Sequence, residues 1–325
     1  MNKFVSSLSI IIFGLSLGYL IQFLANKKMV TFPFSIEKLP RRLQKTALLF
    51  LSPIALTGAL WILELNDLKL MVLPFIGFTA LMLGGVIAFG FGKAQKLSKR
   101  QMGAYIISGS FTNIGSIGGL VCYILFGEVG FAIVPLYKLF EELVYYGIGF
   151  PLAKSFSSQV SQKESTFKRL RKVFSDVFII AALISITIGL SLNMLGINRP
   201  QVYGTINSIL IPISTICLLM SIGLNLRFSK MGQYLKPSFL IILSKMLIVP
   251  TIIGSIGYLI GLGDINNGMP LKVIIVLSSM PTGFVSMIPP ALYDLDGDLA
   301  NTIWFTTTLS LIIVIPCLGF ITSFL

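Results

Sequence analysis

Ten long apolar runs, separated by short basic loops, leave this chain few ways to fold. They cover residues 4–24, 45–63, 68–92, 103–126, 129–152, 173–195, 203–225, 237–260, 271–293 and 299–324. A membrane-crossing helix needs about 20 mainly apolar residues. Lipid offers the backbone no hydrogen-bond partners, so such segments must be helical. Only 11% of the 325 residues are charged and the mean hydropathy is +0.90, against about 25% charged in soluble domains. The reading is an all-α integral membrane protein with ten transmembrane helices. Its N-terminus, MNKFVSSLSIIIFGLSLGYLIQFL, starts like a signal peptide. The run is long enough to span and no A-x-A site follows Leu24-Ala25-Asn26-Lys27-Lys28, so it reads as a retained first helix.

The net charge of +13 would suggest nucleic acid in a soluble chain. Here the basic residues lie between spans, so no nucleic-acid partner is expected. One set of loops holds nineteen Lys and Arg, among them Lys27, Lys28, Arg41, Arg42, Lys93, Arg100, Lys154, Lys163, Arg227 and Lys230. The other holds four, Lys3, Lys69, Arg199 and Lys272. The richer side is assigned to the cytoplasm, which puts both termini outside. Lys168-Arg169-Leu170-Arg171-Lys172 reads as a solvated face near anionic lipid. High Lys, Ile and Ser usage without a targeting extension fits a bacterial cytoplasmic (inner) membrane. The chain has no His, which excludes His proton relays and His metal sites. Cys122, Cys217 and Cys317 lie in apolar runs at unrelated spacings and read as buried thiols. No cofactor and no metal are expected.

The polar stretch 154–172 divides the spans five and five, giving repeats at 1–153 and 173–325 joined by a cytoplasmic linker. Short matches recur in the same order in both halves. Leu51-Ser52-Pro53-Ile54 parallels Ile211-Pro212-Ile213-Ser214, Lys69 to Pro74 parallels Lys245 to Pro250, and Ser116 with Tyr123-x3-Gly127 parallels Ser286 with Tyr293-x3-Gly297. Because each copy has an odd number of spans, the second is inverted across the membrane, an architecture of transporters.

The fourth span contains GSFTNIGSIGGL, residues 109–120. Asn113 lies ten residues from the span's edge, about 15 Å deep at 1.5 Å per residue. The matching ninth span reads SSMPTGFVSMIPP from Ser278, with Pro281 equally deep. Proline removes a donor and clashes with the preceding turn, and glycine loosens the backbone. Both spans are therefore expected to break near the midplane. Unwound backbone survives there only inside protein or along a cavity, and helix N-termini facing such a cavity suit an anion. The competing reading is that the glycines serve close helix packing.

The fifth span carries Lys138, with Glu141 and Glu142 three and four residues on, so either can pair with it on one helix face. Intramembrane ionisable groups are candidates for function, although an orienting ion pair explains them equally. Lys245 lies in the eighth span, where it contributes to a site or snorkels. Asp294-Leu295-Asp296-Gly297-Asp298 lacks the further ligands of a calcium loop. Asp296 or Asp298 is expected to cap the tenth span.

Four stretches resemble the auxin efflux carrier family, bacterial relatives of the plant PIN carriers, over nearly the full length. They are Gly18-Tyr19-Leu20 through Leu39-Pro40 to Ser52-Pro53; Phe111-x-Asn113-x-Gly115-x-x-Gly118; Ile211-Pro212 to Gly223-Leu224-Asn225-Leu226; and Met280-Pro281-Thr282 through Tyr293-x-x-Asp296-x-Asp298-Leu299-Ala300 to Thr307-Thr308-Leu309-Ser310 and Pro316. The resemblance implies two inverted five-helix repeats, as in bile-acid/sodium symporters, with helices 1, 2, 6 and 7 as scaffold and 3–5 and 8–10 as a mobile transport domain. It also implies that the fourth and ninth helices cross where they unwind, with Asn113 and Pro281 at the crossing. Its substrates are small organic anions such as auxin, malate and malonate. The chain departs from the family's pattern at Leu120, where a Pro is usual seven residues after the Asn, and at Asp294, where Gly is common.

These readings imply a secondary transporter or uniporter for a small carboxylate, working by alternating access and not by catalysis. The expected substrate-binding set is Thr112, Asn113, Gly115, Gly118, Gly119, Lys138, Pro281, Thr282, Gly283 and Ser286, with Glu141, Glu142 and Lys245 for coupling or charge relay. The coupling ion, where there is one, is H⁺ or Na⁺, and a homodimer is compatible with the chain. The rivals are a ligand-binding membrane sensor without transport and a metal-dependent membrane enzyme built on the Asp294–Asp298 loop.

Overall fold

In the structure, a computed structural model, residues 3–30, 35–63, 67–157, 175, 177–225 and 231–325 are described. Most of the expected linker, residues 158–172 with Lys163 and the Lys168–Lys172 cluster, lies outside them, as do Leu226, Arg227 and Lys230. The described residues are helical, with one isolated bridge between extended residues and no strand. Seven helices among them are long and apolar enough to cross a membrane: Ser7–Asn26, Ile36–Leu60, Leu68–Ala94, Ile114–Tyr137, Val177–Met194, Val202–Gly223 and Gly232–Ile260. The pair Gly297–Leu309 and Leu311–Thr322, bent by 46°, makes an eighth if taken as one span. The chain is an all-helical integral membrane protein.

The ten apolar runs do not become ten unbroken helices. Helix Lys99–Ser110 stops at Phe111, helix Met269–Ser278 stops at Ser279, and residues 138–140 interrupt the fifth run. The 12 residues of Lys99–Ser110 rise only about 18 Å, well short of a hydrocarbon core of about 30 Å. Conversely, the helix over Gly119–Tyr137 joins the fourth run to the fifth through Gly127, which is not helical at φ 72°, ψ −160°.

The chain divides into two compact units, Met1–Leu65 with Gly119–Ile133 and Ser175–Arg227, and Asn66–Gly118 with Val134–Phe174 and Phe228–Leu325. In the first, helix Lys3–Asn26 lies along helix Val202–Gly223. A Cβ on Gly18 would strike the Met220 carbonyl, and one on Gly223 the Leu15 carbonyl, so these glycines permit backbone contact. A polar seam ties Val202–Gly223 to the Leu39–Leu60 region, with Ser52 Oγ 2.6 Å from Ser214 Oγ and Gln44 donating to Ser221 at 2.9 Å. Pro53 opens helix Ser52–Leu60 directly after a π-helical turn at Ala47–Leu51, consistent with the missing prolyl N–H shifting the local register. Arg199 pairs with Glu128 and donates to the Gly58 carbonyl, while Asn207 donates to Glu128 and to the Ala55 carbonyl.

In the second unit, helix Leu73–Ala94 packs along helix Lys99–Ser110. The latter opens with a capping box between Ser98 and Gln101, which satisfies the first free amides. Ala88, Tyr105, Ile241, Leu299 and Ile303 form a buried cluster between helices. Asp296 caps helix Gly297–Leu309 by accepting from Leu299 N at 2.9 Å, as its position after the loop predicts. Asp294 pairs instead with Arg100. Among the described residues no three acidic, Cys or His side chains group as a metal site would require.

Candidate functional site

The site lies within the second unit and is built on two helix ends. Phe111, after Lys99–Ser110, takes an extended conformation at φ −73°, ψ 127°. Gly283, after the other break, is extended at φ −70°, ψ 144°. The two extended segments pair antiparallel, with Thr112 bridging Thr282. Asn113 N donates to the Pro281 carbonyl at 2.8 Å, and Gly283 N donates to the Phe111 carbonyl at 3.0 Å. Thr112 N donates to the Tyr145 hydroxyl at 3.1 Å and Thr282 N to the Thr307 hydroxyl at 3.2 Å. The backbone amides freed by unwinding are thereby paired, which is the condition for irregular chain at this depth. Pro281 suits its place because the ribbon uses its carbonyl and no N–H.

The glycines do a different job from the one their flexibility suggests. Gly118 is helical at φ −61°, ψ −45°, and a Cβ there would crowd Leu277 and Met280. Gly119 is buried beside Phe131 and falls in the other compact unit, apart from the rest of the expected set. Gly115 lies under the Lys138 ammonium, where a Cβ would come within 3.1 Å of Nζ, the mobile end of that side chain. The break is instead set by Asn113. Its Oδ1 accepts from Ser116 Oγ at 2.5 Å and Ile117 N at 3.2 Å, capping the turn that begins at Ile114. Accepting from a backbone N–H fixes the amide's orientation. Asn113 Nδ2 is left buried without a partner among the described residues, and so is the Ser286 hydroxyl. Each such group costs about 1–3 kcal/mol when nothing satisfies it. The Thr282 hydroxyl is already committed, donating to the Ser108 carbonyl at 2.9 Å.

Lys245 is the strongest electrostatic feature. It sits on a π-helical turn, Ser244–Ile248, is only 2% exposed, and donates to Thr112 Oγ1 at 2.7 Å. No carboxylate pairs with it among the described residues. Burying an ion without a counter-ion costs several kcal/mol, so this charge needs another justification than stability. A small cavity with room for about one water-sized group lies beside it, lined by Thr112, Lys245, Ser278, Gly84, Gly109 and Tyr137 among others.

On the other side of Thr112 runs a second polar chain. Lys138 Nζ pairs with Glu141 Oε2 at 3.1 Å, and Glu141 Oε1 is 2.7 Å from the Tyr145 hydroxyl, itself 2.9 Å from the Thr112 carbonyl. Glu141 is buried, Lys138 and Glu142 are half-buried. Sequence reasoning assigned Tyr145 no role. Its place one helical turn after Glu141 was the available signal.

The arrangement is that of an integral membrane protein with two broken helices paired through their extended segments and a buried lysine beside them. The sequence matches the family described as membrane transport protein over residues 64–318. The chain therefore belongs to that family, which is the family of the auxin efflux carriers. It is 26% identical over 257 residues to an uncharacterized transporter of Methanocaldococcus jannaschii, covering 76% of this chain and 78% of that protein. It is 23% identical over 247 residues to an uncharacterized transporter of Methanothermobacter thermautotrophicus, covering 76% and 77%.

Proposed function

We propose that this membrane transport protein carries a small organic anion, a mono- or dicarboxylate such as malonate, by alternating access. The observation that carries the reading is Lys245, a buried ammonium whose one hydrogen bond goes to a hydroxyl and which faces a cavity. A carboxylate would supply the missing counter-charge. Asn113 Nδ2 and the Ser286 hydroxyl are donors still free to bind it. Thr112 orients the ammonium, while Pro281, Thr282, Gly283 and Gly118 shape and support the ribbon. The capped turn at Ile114 adds the partial positive charge of a helix start.

The same reading takes the spans as two inverted five-helix repeats, 1–153 and 173–325, with helices 1, 2, 6 and 7 as scaffold and the rest as the moving part. It places both termini outside a bacterial cytoplasmic membrane. In support, the unit holding Lys245 and the ribbon contains the third, eighth, ninth and tenth apolar runs and most of the fourth and fifth, while Gly119–Ile133 of those two falls in the other unit. The test is uptake of radiolabelled malonate and malate into proteoliposomes, wild type against Lys245→Met. Saturable uptake that the variant loses supports the reading. Equal uptake by both proteins removes Lys245 from the site and the reading with it.

A further inference from the structure

We propose that Glu141 and Tyr145 form a proton-binding site whose state is read directly by the crossover ribbon, so that proton and anion binding reinforce one another. The proposal deepens the anion-site reading and rests on it.

The Tyr145 hydroxyl has one proton and three partners. It accepts from Thr112 N, which leaves Glu141 Oε1 at 2.7 Å and the Thr112 carbonyl at 2.9 Å competing for the proton it donates. An ionised Glu141 wins, because a charge-assisted bond is stronger than one to a neutral carbonyl. When Glu141 takes up a proton, the carboxyl becomes the donor to the Tyr145 oxygen, and Tyr145 turns its own proton to the Thr112 carbonyl. One proton enters and no other bond changes. The switch acts on the residue whose side chain holds Lys245.

Charge links the two sites as well. With Glu141 ionised, Lys138 and Lys245 are balanced by Glu141 and Glu142. Protonation of Glu141 leaves two cations and one anion, with Glu142 the carboxylate still beside Lys138 near the start of the capped turn. The region gains one positive charge just where an anion is to bind. By reciprocity, a bound anion must favour the protonated carboxyl to the same degree. The other titratable groups around Glu141 are Glu142, beside both Lys138 and Tyr145, and Lys245 beyond Thr112. Helix Leu73–Ala94, which also packs here, carries no titratable side chain before Lys93 at its far end. Lys138, 36% exposed, is where the buried carboxyl's ion pair reaches the surface of the fold.

The test uses full-length protein in liposomes and infrared difference spectra as pH is lowered, with malonate as the anion probe. We expect a protonated-carboxyl C=O band that is absent in Glu141→Gln and shifted in Tyr145→Phe, which loses the hydroxyl but keeps the ring. Malonate should raise that band at fixed pH. Between pH values where malonate itself does not titrate, its Kd should fall as pH is lowered in wild type, by up to tenfold per pH unit for one coupled proton, and hardly at all in Glu141→Gln. A wild-type band identical to that of Glu141→Gln overturns the proton site, whether or not malonate binds. A band that bound malonate leaves unchanged overturns the linkage. A normal band in protein that binds no carboxylate at any pH supports the proton site and overturns the organic-anion reading instead.

Discussion

Lys245 separates function from stability at a single residue. Replacing a buried, unpaired ammonium with a methionine of similar length removes a desolvation cost, so Lys245→Met should be as stable as wild type or more so, by about 1–4 kcal/mol. The same change should reduce malonate uptake about a hundredfold or more. Thermal unfolding beside uptake checks both, and a less stable variant would mark the lysine as structural. Thr112→Val should do the opposite to the fold. It strands the ammonium by removing its hydroxyl partner, with a loss of about 1–3 kcal/mol and weaker uptake. Lys245 was visible in the sequence as a charge in an apolar run, but its lack of a carboxylate was not. That depends on which side chains five other segments bring near it, and a linear pattern holds no such information.

At the scale of the element, Asn113 is a cap and a donor at once, and two substitutions pull the roles apart. Asn113→Asp keeps an oxygen for Ile117 N and loses the free amide donor, so the turn should hold while anion uptake falls sharply. Asn113→Ala loses both, with an added cost of about 1 kcal/mol. Chemical denaturation of the two variants, set against their uptake, gives the comparison. Asp296→Ala should likewise lose about 1 kcal/mol of capping with transport intact, because its partners are Leu299 N and the Tyr234 hydroxyl, away from the ribbon. The breaks were legible from Pro281 and from the polar cluster at residues 110–113. The reason for the first break was not. The glycines drew attention through their backbone freedom, yet Gly118 is helical and Gly119 packs on Phe131. Two of their effects, loosening a helix and letting another approach, leave the same mark in a sequence.

At the scale of the whole molecule, the apolar runs established an integral, all-helical membrane protein, in which seven helices among the described residues, or eight counting one bent pair as a span, are long and apolar enough to cross a membrane. Run length counts residues in lipid and is blind to extended pairing such as Thr112 with Thr282. By its contacts the segment Gly119–Ile133 groups with the unit of the first helix, although the chain on both sides of it belongs to the other unit. Arg199, Glu128 and Asn207 hold it there. Arg199→Met should therefore cost about 1–3 kcal/mol by leaving the half-buried Glu128 without its cation, and adding Glu128→Met should recover much of that loss. Unfolding midpoints of the single and double variants decide it, with malonate affinity expected to stay unchanged in the double variant.

That grouping has a consequence for the backbone. The chain passes from one unit to the other between Gly118 and Gly119, and back between Ile133 and Val134, in both cases within helix and not in a loop. Between those two points Gly127 departs from helical angles, at φ 72°, ψ −160°. The connecting segment is therefore two stiff rods meeting at one residue, and Gly127→Ala would strain that joint through its backbone alone, since nothing lies within reach of the added methyl.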